Sequence, residues 1–550
     1  MMTLFESKRM GGSGVATTGS LGCWWRMLGW WLWGAGSLAV SMQAENELGR
    51  DPVVAMSPFE VNAASVEFEG WKKLVSPNFI VYTDAASTEV RPTIEKLEMV
   101  FMATQVTIGR RPLVHAPTTV VLPSSRSDWK KIRSKGTVKW KVGATAYDEL
   151  AYLAVLEYDW QDSGVGLLYS ITSNLNFQLL GLESVFPVER GLTYFFETAE
   201  MVDGALKIGG ANRRVALLKN ERWFDWERFF AIRPTSPEFV RDSNDVYRFG
   251  AQAALFVHYM LMQEDPKVKE QLWEWNALLH AGNEPTEALF QSIFGLDWEQ
   301  LQKAMKHYLS RGSFTSRLYR FPPESMEFVV TELDVKAQEM RELFVLVQIN
   351  NQKIADSQAA LDSLLKKGLR TDDLRPMLAG ACISWKRPES ALQVLQEMIA
   401  AGKQFPEVYA LAAELLFKSQ WSEEMPTAEL LDEVRSWLTM ALEGEPLLPE
   451  AIDGMTQVLA MGPTVTPRQV EEIKQYCLQL QGNAATDSSL VALALASWRS
   501  GDEARAKRVC ELLAESLFTK RSSRLFAQRI DQAIKAGESP EQMLADLKRK

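Results

Sequence analysis

The sequence predicts an α+β N-terminal domain followed by an all-α domain of helical repeats. Short stretches with strand-like alternation are mixed with helical spacing up to about residue 312, whereas beyond residue 325 one helical pattern follows another. A chain of 550 residues is also too long for a single hydrophobic core. The predicted ranges are an export signal at 1–44, a linker at 45–65, the α+β domain at 66–322 and the helical-repeat domain at 325–550.

The composition excludes two broad classes of protein. The formal net charge of −10 argues against general nucleic-acid binding, which needs a basic face that displaces counterions. The 4 cysteines include no CxxC pair, which excludes a disulfide scaffold and a cysteine-rich zinc module. The sequence therefore predicts a globular protein without a nucleic-acid partner.

The first 44 residues have the pattern of a secretory signal peptide. Lys8, Arg9 and Arg26 precede the apolar run MLGWWLWGAGSLAVSMQA, which is shorter than the roughly 20 residues that a membrane span requires. Small residues end this run, and cleavage is expected at residues 39–41 (AVS) or at Ala44. An uncleaved anchor helix is the alternative. We expect the mature protein to be exported to the periplasm or the cell exterior.

Strand and helix patterns alternate in the first domain. NFIVYTD, TTVVLP and ELAYLAVLEY are typical of strands, and STEVRPTIEKLEMVFMATQVTIG, between the first two, has helical spacing. Residues 167–201 follow as two helices joined by a short turn, and VYRFGAQAALFVHYMLMQ is a long apolar helix with small residues for close packing. TEALFQSIFGLDWEQLQKAMKHYLSR predicts two more helices. FPPES then indicates a domain boundary near residue 323.

Four stretches of this domain, taken in their order along the chain, indicate a resemblance to a known family. They are WKKLVSPNFIVYTDA, FPVERGLTYFFETAEM, KIGGANRRVALLKNERWFDWERFFAIRPTSPEF and YRFGAQAALFVHYML. In this order the domain resembles the gluzincin-like zinc peptidase domains of exported bacterial proteins. The second stretch is similar to the family's WLxEGLAEYF segment, and the fourth to its YxQSWALVHYL helix. The resemblance covers roughly residues 67 to 312 and implies a peptidase-like α+β fold.

The resemblance also implies a zinc site whose ligands this sequence lacks. Members of the family hold zinc with the two histidines of HExxH and a glutamate of the following helix, and the motif glutamate acts as general base. HExxH falls here on residues 173–177 (SNLNF), the third ligand on Arg190 and a second glutamate on Tyr194. No histidine occurs between His115 and His258. The sequence therefore predicts no catalytic, metal-binding or cofactor-binding residue.

Two alternatives for this region stay open. Glu183, Glu189, Glu197 and Glu200 lie near the aligned motif, and His258 lies on the long apolar helix. Carboxylates alone suit calcium or magnesium better than catalytic zinc, and we expect these to form solvated helix faces and ion pairs rather than a replacement metal site. His258 is expected to be a buried, hydrogen-bonded histidine. The second alternative is a hydrolase that uses Glu189, Glu197 and His258 as a non-standard set of site residues.

A basic-aromatic segment covers residues 129–141. The segment WKKIRSKGTVKWK contains six lysine and arginine residues. Five of them lie between Trp129 and Trp140, and Lys141 follows directly. In an acidic chain, an exposed loop is the expected structure. The alternative is weak contact of this segment with anionic components of the cell envelope, because indole rings and cations together bind anionic ligands.

Beyond residue 325, helical patterns are separated by Pro and Gly, as helix–turn–helix units require. Ala379 and Ala391 are 12 residues apart (391 − 379), and so are Ala494 and Ala506 (506 − 494). This spacing resembles the two small packing positions of a tetratricopeptide repeat (TPR), whose period is about 34 residues. We expect a degenerate TPR-like α-solenoid, and a compact helical bundle is the alternative.

Together these patterns predict an exported bacterial pseudopeptidase that has no catalytic activity and serves as a scaffold. A solenoid presents a concave surface, so a protein or peptide partner is expected on the helical repeats. The peptidase-like groove is a second expected binding surface, because strand addition at a sheet edge needs main-chain hydrogen bonds and no zinc. The alternative function is a peptidase with the non-standard residue set.

Overall fold

The computed structural model describes most of the chain beyond residue 69. Outside the described residues are 1–69, 110–116, 126–141, 148–150, 157–167, 170, 174, 176–184, 211, 234–235, 237–242, 281–282, 313, 323–327, 350–353, 370, 403–404, 421–425, 480–486, 516–520 and 550. The expected export signal (1–44), linker (45–65) and basic-aromatic segment (129–141) thus lie outside them, as do Phe177 and Glu183. Among the described residues, no helix combines the length and apolar character that crossing a membrane requires.

Strands in the described part of the chain form two sheets. They are β1 Lys72–Val75, β2 Phe79–Thr83, β3 Thr118–Leu122, β4 Val142–Tyr147, β5 Ala151–Leu156, β6 Glu200–Val202, β7 Ala205–Ile208, β8 Arg317–Tyr319 and β9 Thr331–Asp334. The larger sheet has the order β4-β5-β3-β2-β1-β9, and β6, β7 and β8 form the smaller one. Pairing is parallel from β2 through β3 to β5, and antiparallel elsewhere in both sheets.

Three strands of the larger sheet were predicted from sequence and three were not. NFIVYTD, TTVVLP and ELAYLAVLEY contain β2, β3 and β5, so these predictions are confirmed. β9 has the polar sequence TELD and is exposed throughout, so it carries no apolar alternation. Its position depends on backbone pairing with β1, where Lys73 lies opposite Leu333. The region predicted to be all-α, 325–550, therefore begins with a strand that belongs to the sheet of the first domain.

Helices make up most of the remaining described residues. In the first half they are α1 Ser87–Ile108, α2 Phe186–Phe196, α3 Trp226–Ala231, α4 Ser243–Leu261, α5 Pro266–His280, α6 Glu287–Phe294 and α7 Trp298–Ser310, with a 3-10 helix at Arg213–Lys219. After β9 follow α8 Ala337–Ile349, α9 Ile354–Lys367, α10 Arg375–Ser384, α11 Pro388–Ala400, α12 Pro406–Gln420, α13 Ala428–Gly444, α14 Pro449–Met461, α15 Pro467–Gln479, α16 Asp487–Arg499, α17 Glu503–Glu515, α18 Arg521–Ala536 and α19 Pro540–Arg549.

Local sequence explains where several of these helices begin and end. Asp297 accepts a hydrogen bond from the backbone of Gln300, whose side chain bonds back to the N–H of Asp297, and this capping box starts α7. The side chain of Thr286 caps α6 by accepting from the N–H of Leu289, and α6 ends at Gly295 in the left-handed conformation. These two helices are thus specified by short-range sequence.

The central strands β2 and β3 of the larger sheet are covered on both faces. Val81 and Val120 belong to a core that contains α1 and the other helices of the first half. Their strand neighbours Tyr82 and Val121 face the opposite way, into a core formed with the first helices after β9. The sheet is therefore the middle layer between the two sets of helices, and the two halves of the chain share a core.

A buried polar network joins the sheet to α8. Lys73 Nζ lies 2.9 Å from Glu339 Oε1 and 3.0 Å from Asp373 Oδ2. The hydroxyl of Tyr82 donates to the same Oε1 over 2.7 Å. The lysine and the glutamate are both buried, so each requires the other for its charge to be compensated.

The region after β9 is a long succession of packed helix pairs. The pairs α10–α11, α12–α13, α14–α15 and α16–α17 pack internally, and the first helices α12, α14, α16 and α18 also contact one another in that order. Ala379 and Ala391 are fully buried in the pair α10–α11, and Ala494 and Ala506 in the pair α16–α17. A helical region is therefore confirmed for the second half of the chain.

Two of these helix pairs turn in the same way. The N–H of Arg387 donates to the carbonyl of Cys382 over 2.8 Å, and the N–H of Asp502 donates to the carbonyl of Ser497 over 2.8 Å. This bond is typical of a Schellman motif, in which the residue before the donor adopts a left-handed conformation. Helices α10 and α16 thus end through equivalent backbone geometry.

We predict that Lys386→Gly stabilises the protein. Lys386 holds the left-handed position of the first turn with a φ of 56°, whereas the second turn has Gly501 there with a φ of 88°. A side chain in this conformation costs about 1 kcal/mol, so the substitution should raise the free energy of unfolding in urea by about 0.5–1 kcal/mol. Lys386→Ala is the control, because it keeps the Cβ atom. An equal gain in both variants would contradict the prediction.

Candidate functional site

The candidate site is built where α2 crosses α4 at very short range. A Cβ atom at Gly191 would lie 2.3 Å from Val257 Cγ2 and 2.5 Å from the carbonyl oxygen of Ala253. A Cβ atom at Gly250 would lie 2.9 Å from the ring of Tyr194. Both positions therefore require glycine, and the close crossing fixes α2, which carries Glu189, Arg190 and Tyr194, against the core.

Side chains that cannot bind zinc occupy the described positions of the expected metal ligands. Ser173, at the first position of the aligned motif, donates its hydroxyl to Glu189 Oε1 over 3.0 Å. Arg190, at the third-ligand position, places its guanidinium carbon 5.5 Å from the ring centre of Tyr169 and 5.0 Å from that of Phe186. These contacts are cation–π interactions that fix a positive charge in the position of a metal ligand.

Glu197, one of the residues of the alternative hydrolase set, is buried in an ion pair. Its carboxylate is 4% exposed and lies 2.5 Å from Arg214 Nη1. Asn212 donates from its amide to the carbonyl of Tyr194 over 3.1 Å and to Glu197 Oε2 over 3.4 Å. Burial raises the pKa of Glu197, and the nearby Arg214 guanidinium opposes that shift. The guanidinium also stacks 4.5 Å from the centre of the Tyr194 ring.

His258 is buried with a partner for each ring nitrogen. Nε2 lies 2.6 Å from the carbonyl oxygen of Gly209, and Nδ1 lies 2.9 Å from the hydroxyl of Tyr308. Because a carbonyl only accepts, Nε2 carries the proton and Nδ1 accepts from Tyr308. Burial lowers the pKa of His258, which favours this neutral form. The expectation of a buried, hydrogen-bonded histidine is confirmed.

The three residues of the hydrolase set have separate partners. Glu189 bonds with Ser173, Glu197 pairs with Arg214, and His258 bonds with Gly209 and Tyr308. Among the residues that the structure describes, no three His, Cys, Asp or Glu side chains are grouped closely enough to hold a metal ion.

Glu200, the remaining described candidate carboxylate, lies in β6 and is exposed. Its Oε2 lies 3.7 Å from Lys207 Nζ. It forms the solvated ion pair that was expected for the carboxylates of this region.

Sequence reasoning did not single out Arg214 and Asn212, which compensate the charge of Glu197. The one local signal is that Asn212 caps the following 3-10 helix, because its side chain accepts from the N–H of Arg214 over 3.0 Å. The cap positions Arg214 at the start of that helix. Pairing with a glutamate on another helix has no local sequence pattern.

Glu189 has an environment suited to proton transfer. Burial raises the pKa of Glu189 to about 7, although the hydrogen bonds from Ser173 and Thr193 lower it. A carboxyl group with such a pKa is partly protonated at neutral pH and accepts a proton readily. Beside the hydroxyl of Ser173, it is the one described pair at this site with the arrangement of a base next to a nucleophile.

Comparisons of the chain with protein-family models, with curated proteins and with solved structures find no match. The gluzincin-like resemblance therefore depends on the four sequence stretches alone.

We predict that Arg214→Met destabilises the protein and that Glu197→Gln rescues it. The single change leaves Glu197 buried without its counter-charge, which should lower the free energy of unfolding by about 2–4 kcal/mol. In the double variant Arg214→Met/Glu197→Gln no charge is left unpaired, so most of the loss should be recovered in urea unfolding. A double variant as unstable as Arg214→Met would show that the ion pair is not what holds this part of the structure.

We predict that Glu189→Gln changes how stability depends on pH. A carboxyl group whose pKa rises from 4.5 to about 7 on folding binds more protons in the folded state between these values, so its contribution to stability falls as pH rises through that window. The variant lacks this loss. Its stability relative to the wild type should therefore increase by about 1–3 kcal/mol between pH 5 and pH 8, measured by urea unfolding. A difference that stays constant with pH would contradict the shifted pKa.

Proposed function

We propose that the chain is an exported pseudopeptidase, related to the gluzincin-like peptidases, that acts as a scaffold and does not catalyse a reaction. One observation carries this proposal. Glu189, Glu197 and His258, the best candidates for catalysis, each bond to a different neighbour inside the protein. Groups held in this way stabilise the fold, whereas a metallohydrolase needs several ligands that converge on one metal.

The charge at the aligned ligand positions supports the same function. Arg190 stays protonated at any physiological pH, and cation–π contacts hold its guanidinium group against the rings of Tyr169 and Phe186. Arg214 adds a second positive charge beside Glu197. Arg190 lies 3.8 Å from Glu189, and Arg214 is paired with Glu197, so both carboxylates are already compensated and are less available to a metal ion.

The helical half supports the binding of a protein or peptide partner. Contacts between the first helices of successive pairs are typical of repeat proteins, which bind partners on the surface that those helices form. One of these helices, α14, is buried along nearly its whole length yet carries Asp453, Thr456 and Gln457. Asp453 and Thr456 bond to Ser489 of α16, so these two polar side chains link neighbouring helix pairs.

Gln457 is another polar side chain of α14, and it lines a cavity of only about 10 Å³. It is 1% exposed, and neither its amide nitrogen nor its amide oxygen has a hydrogen-bond partner among the described residues. A cavity of that size holds at most one water molecule, so the amide is an internal unsatisfied group that a peptide does not reach.

Metal analysis of the purified protein, residues 45–550, tests the absence of catalysis. The protein is loaded with zinc, calcium or manganese, dialysed, and analysed by mass spectrometry of the metals, beside a zinc peptidase treated identically. We expect only trace metal in this protein and stoichiometric zinc in the control enzyme. Stoichiometric metal would contradict the proposal, and Glu189→Gln, Glu197→Gln and His258→Gln would then identify the ligands.

The same protein tests the partner site. Gln457→Leu should fold with equal or greater thermal stability, because an apolar side chain of similar size replaces an unsatisfied amide. Chemical crosslinking of the full chain in the producing cells should give partner crosslinks within residues 337–549. Crosslinks confined to residues 70–312 would contradict a partner on the helical half.

A hydrolase is the second candidate function, and the pair Ser173–Glu189 is the observation that favours it. A carboxyl group with a pKa of about 7 can take the proton of a serine hydroxyl that lies 3.0 Å away. A fluorophosphonate probe, which labels activated serines, should not label the protein if it is a scaffold. Labelling of the wild type that disappears in both Ser173→Ala and Glu189→Gln would instead establish the hydrolase.

A further inference from the structure

A large cationic cleft lies on the first half of the chain, away from the residues of the candidate site. It has a volume of about 1090 Å³. Its walls are the end of the 3-10 helix, the segment between that helix and α3, and residues of the helices α3, α4 and α7. Its lining includes none of Glu189, Glu197 and His258. The cleft is slightly larger than the roughly 300–1,000 Å³ of most small-molecule sites, so it has room for a ligand with several rings.

Positive charge dominates the lining of the cleft. It contains five cationic side chains and two acidic ones, in a chain whose formal net charge is −10. The cationic ones are Lys219, Arg222, Arg228, Arg248 and Lys306. Such a concentration of one sign, opposite to that of the whole protein, attracts anionic ligands.

Three of these cations are unpaired within the described part of the chain. Lys219, Arg222 and Lys306 are exposed and form no ion pair with any residue in the described part of the chain. Lys219 and Arg222 come from the segment before α3, whereas Lys306 comes from α7. The unpaired charges are therefore distributed along the cleft and do not converge on one point, which suits a ligand with several anionic groups.

The remaining two arginines lie against an aromatic ring, and Arg248 is also paired with Asp245. The guanidinium carbon of Arg248 lies 4.3 Å from the ring centre of Phe224, and that of Arg228 lies 5.7 Å from it. Gln252, which is fully buried, accepts from the N–H of Phe224 over 3.0 Å and donates to its carbonyl over 3.1 Å. The ring is thus fixed by the core, and it orders two guanidinium groups at the cleft before any ligand binds.

Neutral side chains of the cleft favour a sugar over a protein segment. Leu218, Phe224 and Leu309 of the lining are buried, which leaves the half-buried Trp223 and few contacts for the apolar anchors of a protein partner. The side-chain amides of Asn220 and Gln302 bond to no described residue and suit the hydroxyl groups of a sugar.

The half-buried ring of Trp223 completes the cleft. Its indole N–H donates to the carbonyl of Leu218 over 3.0 Å, which fixes the orientation of the ring. The cleft therefore presents a preordered aromatic surface beside its cations.

We propose that this cleft binds an anionic oligosaccharide, a sugar chain that carries sulfate or carboxylate groups. The spread of unpaired cations matches repeated anionic groups along a chain, and the amides match its hydroxyl groups. The site is independent of the proposed scaffold function, because binding here involves neither the helical half nor the positions aligned with the zinc ligands.

Titration calorimetry on residues 45–550 tests the site with four probes of similar length. They are a sulfated hexasaccharide, a hexamer of galacturonate, an uncharged maltohexaose and a hexaglutamate peptide. One or both anionic sugars should bind, more weakly as the salt concentration rises, and the stronger one identifies sulfate or carboxylate as the preferred group. The uncharged sugar should not bind. Absence of binding by both anionic sugars, or equal or tighter binding of hexaglutamate, would overturn the proposal.

Two charge-reversal variants on one helix locate the binding. Lys306→Glu changes a cleft residue, whereas Lys303→Glu changes an exposed residue of α7 that does not line the cleft. Lys306→Glu should weaken binding of the preferred sugar by about tenfold or more, and Lys303→Glu by less than about twofold. Both side chains are exposed, so the thermal stability of the two variants should match. Equal weakening in both variants would mean that the sugar follows general surface charge, and the cleft would lose its role.

Discussion

Burial of the central strands of the larger sheet on both faces is the constraint on which the rest of the structure depends. All five residues of β3 are buried, because helices of the first half cover one face and the first helices after β9 cover the other. If one face of the sheet were open to water, Tyr82 and Val121 would expose apolar surface there, and the folded state would lose the free energy of burying it. The helical region therefore completes the core of the N-terminal fold as well as extending the chain beyond it.

This arrangement explains the charged network between the two halves. Lys73 lies in the strand next to β9, and the carboxylates that compensate it, those of Glu339 and Asp373, belong to the helical region. A buried lysine without these partners would be strongly unfavourable. The network thus favours one arrangement of the helices on the sheet, in addition to the non-directional apolar contacts around it.

At the candidate site, too, buried polar groups are compensated by partners within the protein. The close crossing of α2 and α4 leaves no room at Gly191 and Gly250, so the side chains around the crossing are held at fixed positions. Polar groups that are fixed and buried need partners, and here arginine, serine, asparagine and tyrosine side chains supply them. Internal pairs thus compensate these polar groups, and this is the observation on which the proposed scaffold function depends.

The sequence by itself determined the elements in which buried apolar or small residues recur at regular spacing. The strands β2, β3 and β5, the long apolar helix α4 and the buried alanines of two helix pairs all follow from local periodicity or spacing. The lack of histidine between His115 and His258 likewise needed no structure. Such features are readable because each depends on residues only a few positions apart.

Only the tertiary structure decided which distant residues became partners. β9 pairs with β1 across the whole first half of the chain, Arg214 compensates Glu197, and Lys306 faces the same cleft as Arg222. An exposed polar strand, an ion pair between two helices and a group of surface cations leave no periodic trace in sequence. Their interactions depend on distances in space, which are set only when the chain has folded.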